Sequence, residues 1–132
     1  MFAMKLLCFP FFCLILQAVK TTTVQMEYQQ VIKNIKEVAM RVLPKGSTVY
    51  LYGSRARGDW HEDSDWDLLI LLDKPQRESS DWEKYAWPFI EKSMDWNEDI
   101  SARTFTKEQW FNGTHTMFYF NVEEDKKVIY ES

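Results

Sequence analysis

Gly53-Ser54 and Asp65-Trp66-Asp67 are the residues whose types and spacing could do chemistry in this chain. A glycine-serine turn after an apolar strand sets small residues and unpaired backbone N–H groups beside whatever binds there. Ser54 adds a hydroxyl, and Arg55 and Arg57 add charge. Arg57 can fork onto phosphate oxygens as a lysine cannot. Asp65 and Asp67 stand at the mouth of the apolar run Leu68 to Leu72. If that run is a strand, its side chains alternate, so the two carboxylates share one face with α-carbons roughly 6 to 7 Å apart, and Trp66 faces the other way. Such a pair repels itself without a cation, and one member titrates high. Magnesium needs few protein carboxylates, because water and phosphate oxygens complete its shell. A phosphate cradle followed by a carboxylate pair therefore fits a nucleoside triphosphate carried with magnesium.

The elements that must position these residues are readable from pattern. Thr48 to Tyr52 is β-branched and aromatic and stops at Gly53, which predicts a strand ending in a turn. Asp65 to Leu72 has apolar residues on both faces, as a doubly covered central strand does. Upstream, Glu27 to Leu43 places Val31, Ile32, Ile35, Val38, Ala39 and Val42 at helical spacing, and Pro44-Lys45-Gly46 ends the helix. Downstream, Ser79-Ser80-Asp81 caps a helix running to about Ser93, with a kink or break at Pro88. A strand follows from Asp99 to Phe105, then a short turn or helix from Lys107 to Trp110. Thr116 to Glu124 is read as a helix and Lys127 to Tyr130 as a short strand. The expected fold class is α/β or α+β, with a small mixed sheet of three or four strands packed by helices. The carboxylates are expected at one end of that sheet, with the Gly53-Ser54 turn opposite.

The order strand, Gly-Ser, ten residues, Asp-x-Asp, apolar strand resembles the nucleotidyltransferase superfamily that includes the DNA polymerase β catalytic core, and above all its minimal stand-alone members. Gly53, Ser54, Asp65 and Asp67 meet that signature residue for residue, and Ser64 fits the habitual S-D-x-D. The resemblance implies a polymerase β-like fold and transfer of a nucleoside monophosphate, commonly AMP from ATP, to an acceptor hydroxyl with release of pyrophosphate. It implies nucleotide contacts from Gly53, Ser54, Arg55, Arg57 and Ser64. It also implies a two-metal magnesium site on Asp65, Asp67 and a third carboxylate from a later strand. Asp99, followed by aliphatic Ile100, is the choice for that third position, with Glu98 beside it as the alternative. Ser101 and Arg103 occupy positions of that strand where the family commonly has aliphatic residues.

By the same resemblance, one partner is a small helical protein of the HEPN type, often a ribonuclease toxin, which an antitoxin of this kind adenylylates and silences. Two other readings stay open: an enzyme that modifies a small molecule such as an antibiotic, and a module that binds nucleotide or partner without catalysis.

Length and charge narrow the classes. The 132 residues make one catalytic domain, read as 26–132, behind a leader or mis-assigned extension over residues 1–25. That leader holds an apolar run from Leu6 to Leu16 and both cysteines, Cys8 and Cys13. The run is short for a membrane span and the cleavage region is poor, so the domain is expected to be cytoplasmic, without a membrane partner. Thiol chemistry is thereby absent from the catalytic part. The net charge is −4, and beyond residue 25 the chain holds 14 basic against 20 acidic residues. Non-specific nucleic-acid binding needs the opposite balance, which argues against a template-directed polymerase. His61 lies between the two motif halves and is read as a solvated loop residue, and Trp60 and Trp66 as packing residues rather than a base-stacking platform.

Overall fold

In a computed structural model, residues 28–132 are described. The chain divides into two compact units, Met1–Lys33 and Asn34–Ser132. Of the first unit, residues 28–33 are helical. The expected leader over residues 1–25, with its two cysteines, lies outside the described residues. Among the described residues no helix is long and apolar enough to cross a membrane.

The second unit opens with helix α1 over residues 34–42, which buries Ile35, Val38 and Ala39 at the spacing the sequence predicts. Four strands follow: β1 (Thr48–Tyr52), β2 (Trp66–Leu72), β3 (Ile100–Thr106) and β4 (Lys127–Glu131). They form one mixed sheet in the order β3-β2-β1-β4. β1 runs antiparallel to both β2 and β4, whereas β2 and β3 are parallel. The central strand β2 is the most hydrophobic, and Leu68 through Leu72 are all fully buried. Strands covered on both faces read as continuous apolar runs, which is why this one was legible.

Register assigns each face. Tyr52 pairs with Asp67 across β1 and β2, and Asp67 with Ser101 across β2 and β3. One face therefore carries Tyr50, Tyr52, Asp67, Leu69, Leu71, Ser101, Arg103 and Phe105. The other carries Val49, Leu51, Trp66, Leu68, Ile70, Leu72, Ala102 and Thr104. On the first face Leu69 and Leu71 pack with Trp110 and Val122, flanked by Tyr50, Tyr52, Phe105, Phe118 and Tyr119. Those covering residues come from α4 (Lys107–Asn112) and α5 (Met117–Asp125). α4 is fixed by a capping box: Thr106 Oγ1 accepts from the Gln109 N–H at 3.1 Å, and Gln109 Oε1 accepts from the Thr106 N–H at 3.2 Å. This T-x-x-Q box carries the helix two residues past the predicted end at Trp110.

On the other side of β3 lies helix α3 (Trp87–Asp95), preceded by one wide π-helical turn, Trp82–Ala86. Pro88 explains the join. It lacks an N–H and its ring crowds the carbonyl four residues back, so the turn before it widens to i→i+5 bonding instead of breaking the helix. Asp81, expected to cap this helix with its side chain, is buried and differently engaged. Its Oδ1 accepts from Lys74 Nζ at 2.6 Å and its Oδ2 from the Glu78 N–H at 2.7 Å, which ties the end of β2 to the start of the helical segment.

Burial pushes the Asp81 carboxyl up, but the Lys74 ammonium and the Glu78 amide outweigh it and hold the pKa below the ordinary value. A depressed folded-state pKa gives stability that is present above the unfolded value and lost as pH falls through the folded one. Asp81→Ala should therefore destabilise the domain by about 2 kcal/mol at neutral pH. In chemical denaturation at a series of pH values, the gap between wild type and variant should begin to narrow as pH falls below about 4 and go on narrowing at lower pH. A gap of the same size at neutral and at acid pH would disprove the ionic role.

Candidate active site

β1 ends at Tyr52 and the chain turns at Gly53 with φ of 76°. A Cβ built on Gly53 would collide with Asp67 Oδ2. The glycine is thus required twice, by its left-handed φ and by a carboxylate standing where a side chain would be. The Gly53-Ser54 turn lies beside the carboxylates, on the neighbouring strand, rather than facing them from a distance. From it springs the one-turn helix α2 (Ser54–Arg57), whose Ala56 and Arg57 N–H groups both donate to the Gly53 carbonyl at 3.0 Å. Ser54 is half-buried at the mouth of this turn.

Asp65 immediately precedes β2, and Asp67 is its second residue. They share the sheet face with Tyr52, as alternation predicts. Trp66 N–H donates to the Asp99 carbonyl at 2.8 Å, so the backbone of Asp99 adjoins the start of β2. Half-burial pushes the Asp67 pKa up and the charge of Asp65 adds to it, while Arg103 and then Arg57 pull it down; the net shift is upward. Two oxygen-only ligands, one of which resists ionisation through burial and its partner's charge, fit a hard divalent ion such as magnesium. The expected three-carboxylate centre is not assembled: among the described residues no three His, Cys, Asp or Glu side chains are placed to hold a metal ion.

The remaining expected site residues divide by face. Glu98 Oε2 accepts from Trp66 Nε1 at 3.2 Å and lies 3.7 Å from Arg55 Nη2. It therefore sits with Trp66 behind the sheet, away from Asp65 and Asp67. Arg55, expected on phosphates, has a side chain only 3% exposed. Its Nε and Nη2 donate to the Ser64 carbonyl at 3.2 and 3.0 Å, and Nη2 to the Glu62 carbonyl at 3.2 Å. Its guanidinium lies 4.3 Å from the Trp60 ring and 4.5 Å from that of Trp66. It clamps the loop between the motif halves and does not face the carboxylates. Trp60 and Trp66 are the walls of that clamp, in keeping with a packing role. Ser64 closes the same loop, its Oγ accepting from the His61 N–H at 2.8 Å.

Arg57 is exposed and points across the site, with Nη1 2.7 Å from Asp125 Oδ2 at the end of α5 and Nε 3.3 Å from Asp59 Oδ1. Tyr52 and Arg103 are the site residues that pattern reading did not assign. Burial and then the charge of Asp67 raise the Tyr52 pKa, and Arg103 lowers it by its charge and a side-chain hydrogen bond. The available signal was Arg103 itself, a cation in a strand where the resemblance leads one to expect an aliphatic residue.

Known proteins share this fold. A chain of a toxin–antitoxin structure solved with AMP-PNP superposes with a TM-score of 0.55 at 20% identity, over 76% of this chain and 73% of that one. A chain of the tri-AMPylated Shewanella oneidensis HEPN toxin in complex with MNT antitoxin does so with a TM-score of 0.52 at 17% identity, over 80% and 73%. A chain of the MntA–HepT toxin–antitoxin gives 0.51 at 17%, over 79% and 73%. At these identities the likeness is one of fold. No curated protein matches by sequence. The sequence model of the nucleotidyltransferase domain matches residues 26–129, a span that holds every strand but the last residues of β4 together with Gly53, Ser54, Asp65 and Asp67, and the chain belongs to that family.

Proposed function

We propose that this nucleotidyltransferase moves a nucleoside monophosphate, AMP from ATP, onto a hydroxyl of a partner protein in the cytoplasm, as the antitoxin of a HEPN/MNT-type pair. The observation that carries the catalytic part is the approach of Asp67 to the Cβ-less Gly53, which sets the Gly-Ser turn and the Asp-x-Asp motif side by side. The partner part is supported by the fold shared with the toxin–antitoxin complexes, one of which contains an AMPylated toxin.

In this reading Ser54 and the Gly53 turn hold the β- and γ-phosphates, and Arg57 reaches the same oxygens once it leaves Asp125. Asp65 and Asp67 would hold magnesium, which when bound would supply positive charge to the phosphate oxygens and acidify the acceptor hydroxyl. Asp99, whose carbonyl accepts from the Trp66 N–H at the start of β2, orients that hydroxyl and takes its proton. Glu98, tied to Trp66 and Arg55, keeps the loop in place. The acceptor oxygen bonds to the α-phosphorus, the bond from the α-phosphorus to the bridging oxygen breaks, and pyrophosphate departs with the electron pair.

Transfer is read by incubating the full chain with α-labelled ATP, magnesium and a HEPN-type protein, and following label into protein. Asp67→Asn should lower the rate by roughly 100-fold or more, as loss of a principal electrostatic contact does. Full activity in that variant would sink the site assignment. Label in a small molecule instead of protein would favour the antibiotic-modifying reading, and silencing of the toxin without any label the contact-only reading.

The two candidates for the third carboxylate separate on different axes. Asp99→Asn should depress turnover and leave the melting temperature near wild type. Glu98→Gln should lower the melting temperature by a few degrees, about what the loss of roughly 1 kcal/mol gives in a domain of this size, and retain most turnover. The reverse pattern would exchange their roles.

A further inference from the structure

The three arginines around the site differ in what already holds them. Arg55 is buried in its clamp of carbonyls, tryptophans and Glu98. Arg57 is bound to Asp125 and Asp59. Arg103 is exposed on β3, on the same face as Asp67, and among the described residues it forms no ion pair with a carboxylate. Its guanidinium lies 4.6 Å from the ring of Phe118 on α5 and hydrogen-bonds the Tyr52 side chain, contacts that set its direction without neutralising it. Tyr52 and Asp67 both feel its charge. On its α4–α5 side it lines a cavity of about 270 Å³ with Phe105, Trp110, Phe118 and Tyr119.

We propose that Arg103 grips the phosphoryl group being transferred. The assignment rests on the nucleotidyl-transfer reading above and adds to it a residue that the Gly-Ser and Asp-x-Asp signature does not contain. Position decides which phosphate it meets. The sheet order β3-β2-β1 places Arg103 on one side of Asp67 and the Gly53-Ser54 turn on the other. A triphosphate whose β- and γ-groups lie at the turn has its α-phosphoryl group over the carboxylates, on the side nearer β3. There Arg103 can fork onto two non-bridging oxygens and meet the charge that accumulates as the acceptor oxygen bonds and pyrophosphate leaves. Phe118 is the positioning residue that aims it.

The test compares two probes on the full chain by calorimetric titration with magnesium: α,β-methylene ATP, which presents an α-phosphoryl group, and pyrophosphate, which does not. Arg103→Ala should weaken the ATP analogue roughly tenfold or more, the loss of a charged hydrogen-bonded pair, and leave pyrophosphate within about twofold. Ser54→Ala should weaken both. Arg103→Lys keeps the stem over Phe118 and the charge but loses the fork, and should fall between wild type and Arg103→Ala for the analogue alone. It also carries the comparison if the alanine variant does not fold. A folded Arg103 variant that binds both probes as wild type does would overturn the assignment and leave Arg103 a prop for α5. Wild type that binds neither probe would bring down the triphosphate site itself and this assignment with it, whereas wild type that binds both while Arg103→Ala weakens both equally removes only the α-phosphoryl role.

Discussion

The close approach of Asp67 to Gly53 is the constraint on which the rest of the site depends. Asp67 lies in a strand hydrogen-bonded on both sides, between β1 and β3, so it has little freedom to withdraw. Its carboxylate reaches over the end of β1, and only a residue without a side chain can occupy the position after Tyr52. The same residue must turn the chain at φ of 76° to start α2. A residue with a Cβ would meet a steric clash and backbone strain together, and relief of either would move the carboxylate or the phosphate turn. The two halves of the motif are thus one mechanical object, although ten residues separate them in sequence.

Those intervening residues need their own anchor, and Arg55 supplies it. A buried guanidinium is costly unless its donors are used. Here they meet the carbonyls of Glu62 and Ser64, the carboxylate of Glu98 lies close by, and the two faces of the group lie against Trp60 and Trp66. The clamp reaches from α2 to the residue before Asp65, so it sets where β2 begins and which aspartates face the cleft. Charge drawn into this structural task is withdrawn from ligand binding, whereas Arg57 and Arg103 act on Asp67.

The fold was legible because its signals are local. β1 was delimited to the residue, β2 to within one residue at its start, and the α1 stripe by its spacing. α5 was harder, since Met117, Phe118, Tyr119 and Phe120 are all large and apolar; Phe118 and Tyr119 join the core cluster while Met117 and Phe120 are exposed. Its start lies in Thr116, whose Oγ1 accepts from the Tyr119 N–H. In the site, the facing of Asp65 and Asp67 followed from strand alternation alone. The task of Arg55 did not, because a guanidinium beside a phosphate turn looks the same in sequence whether it points to solvent or beneath the loop. Deciding that required Trp60, Trp66 and Glu98, up to 43 positions away, to be placed around it.

The open face exists because the two sides of the sheet are covered to different extents. On the Trp66 side the strand residues from Val49 and Leu51 to Ile70 and Leu72 are closed off. On the Asp67 side α4 and α5 cover Leu69 and Leu71 but leave Tyr52, Asp67 and Ser101 at the strand ends only half-buried. An acidic chain with carboxylates on such an edge repels anions unless cations are set among them. Arg57, Arg103 and a metal between Asp65 and Asp67 would supply that charge within a few ångströms while the rest of the surface stays acidic. On the proposed reading, a compact polyanion with its own metal would be favoured at this spot over an extended one such as nucleic acid, which needs a broad basic surface.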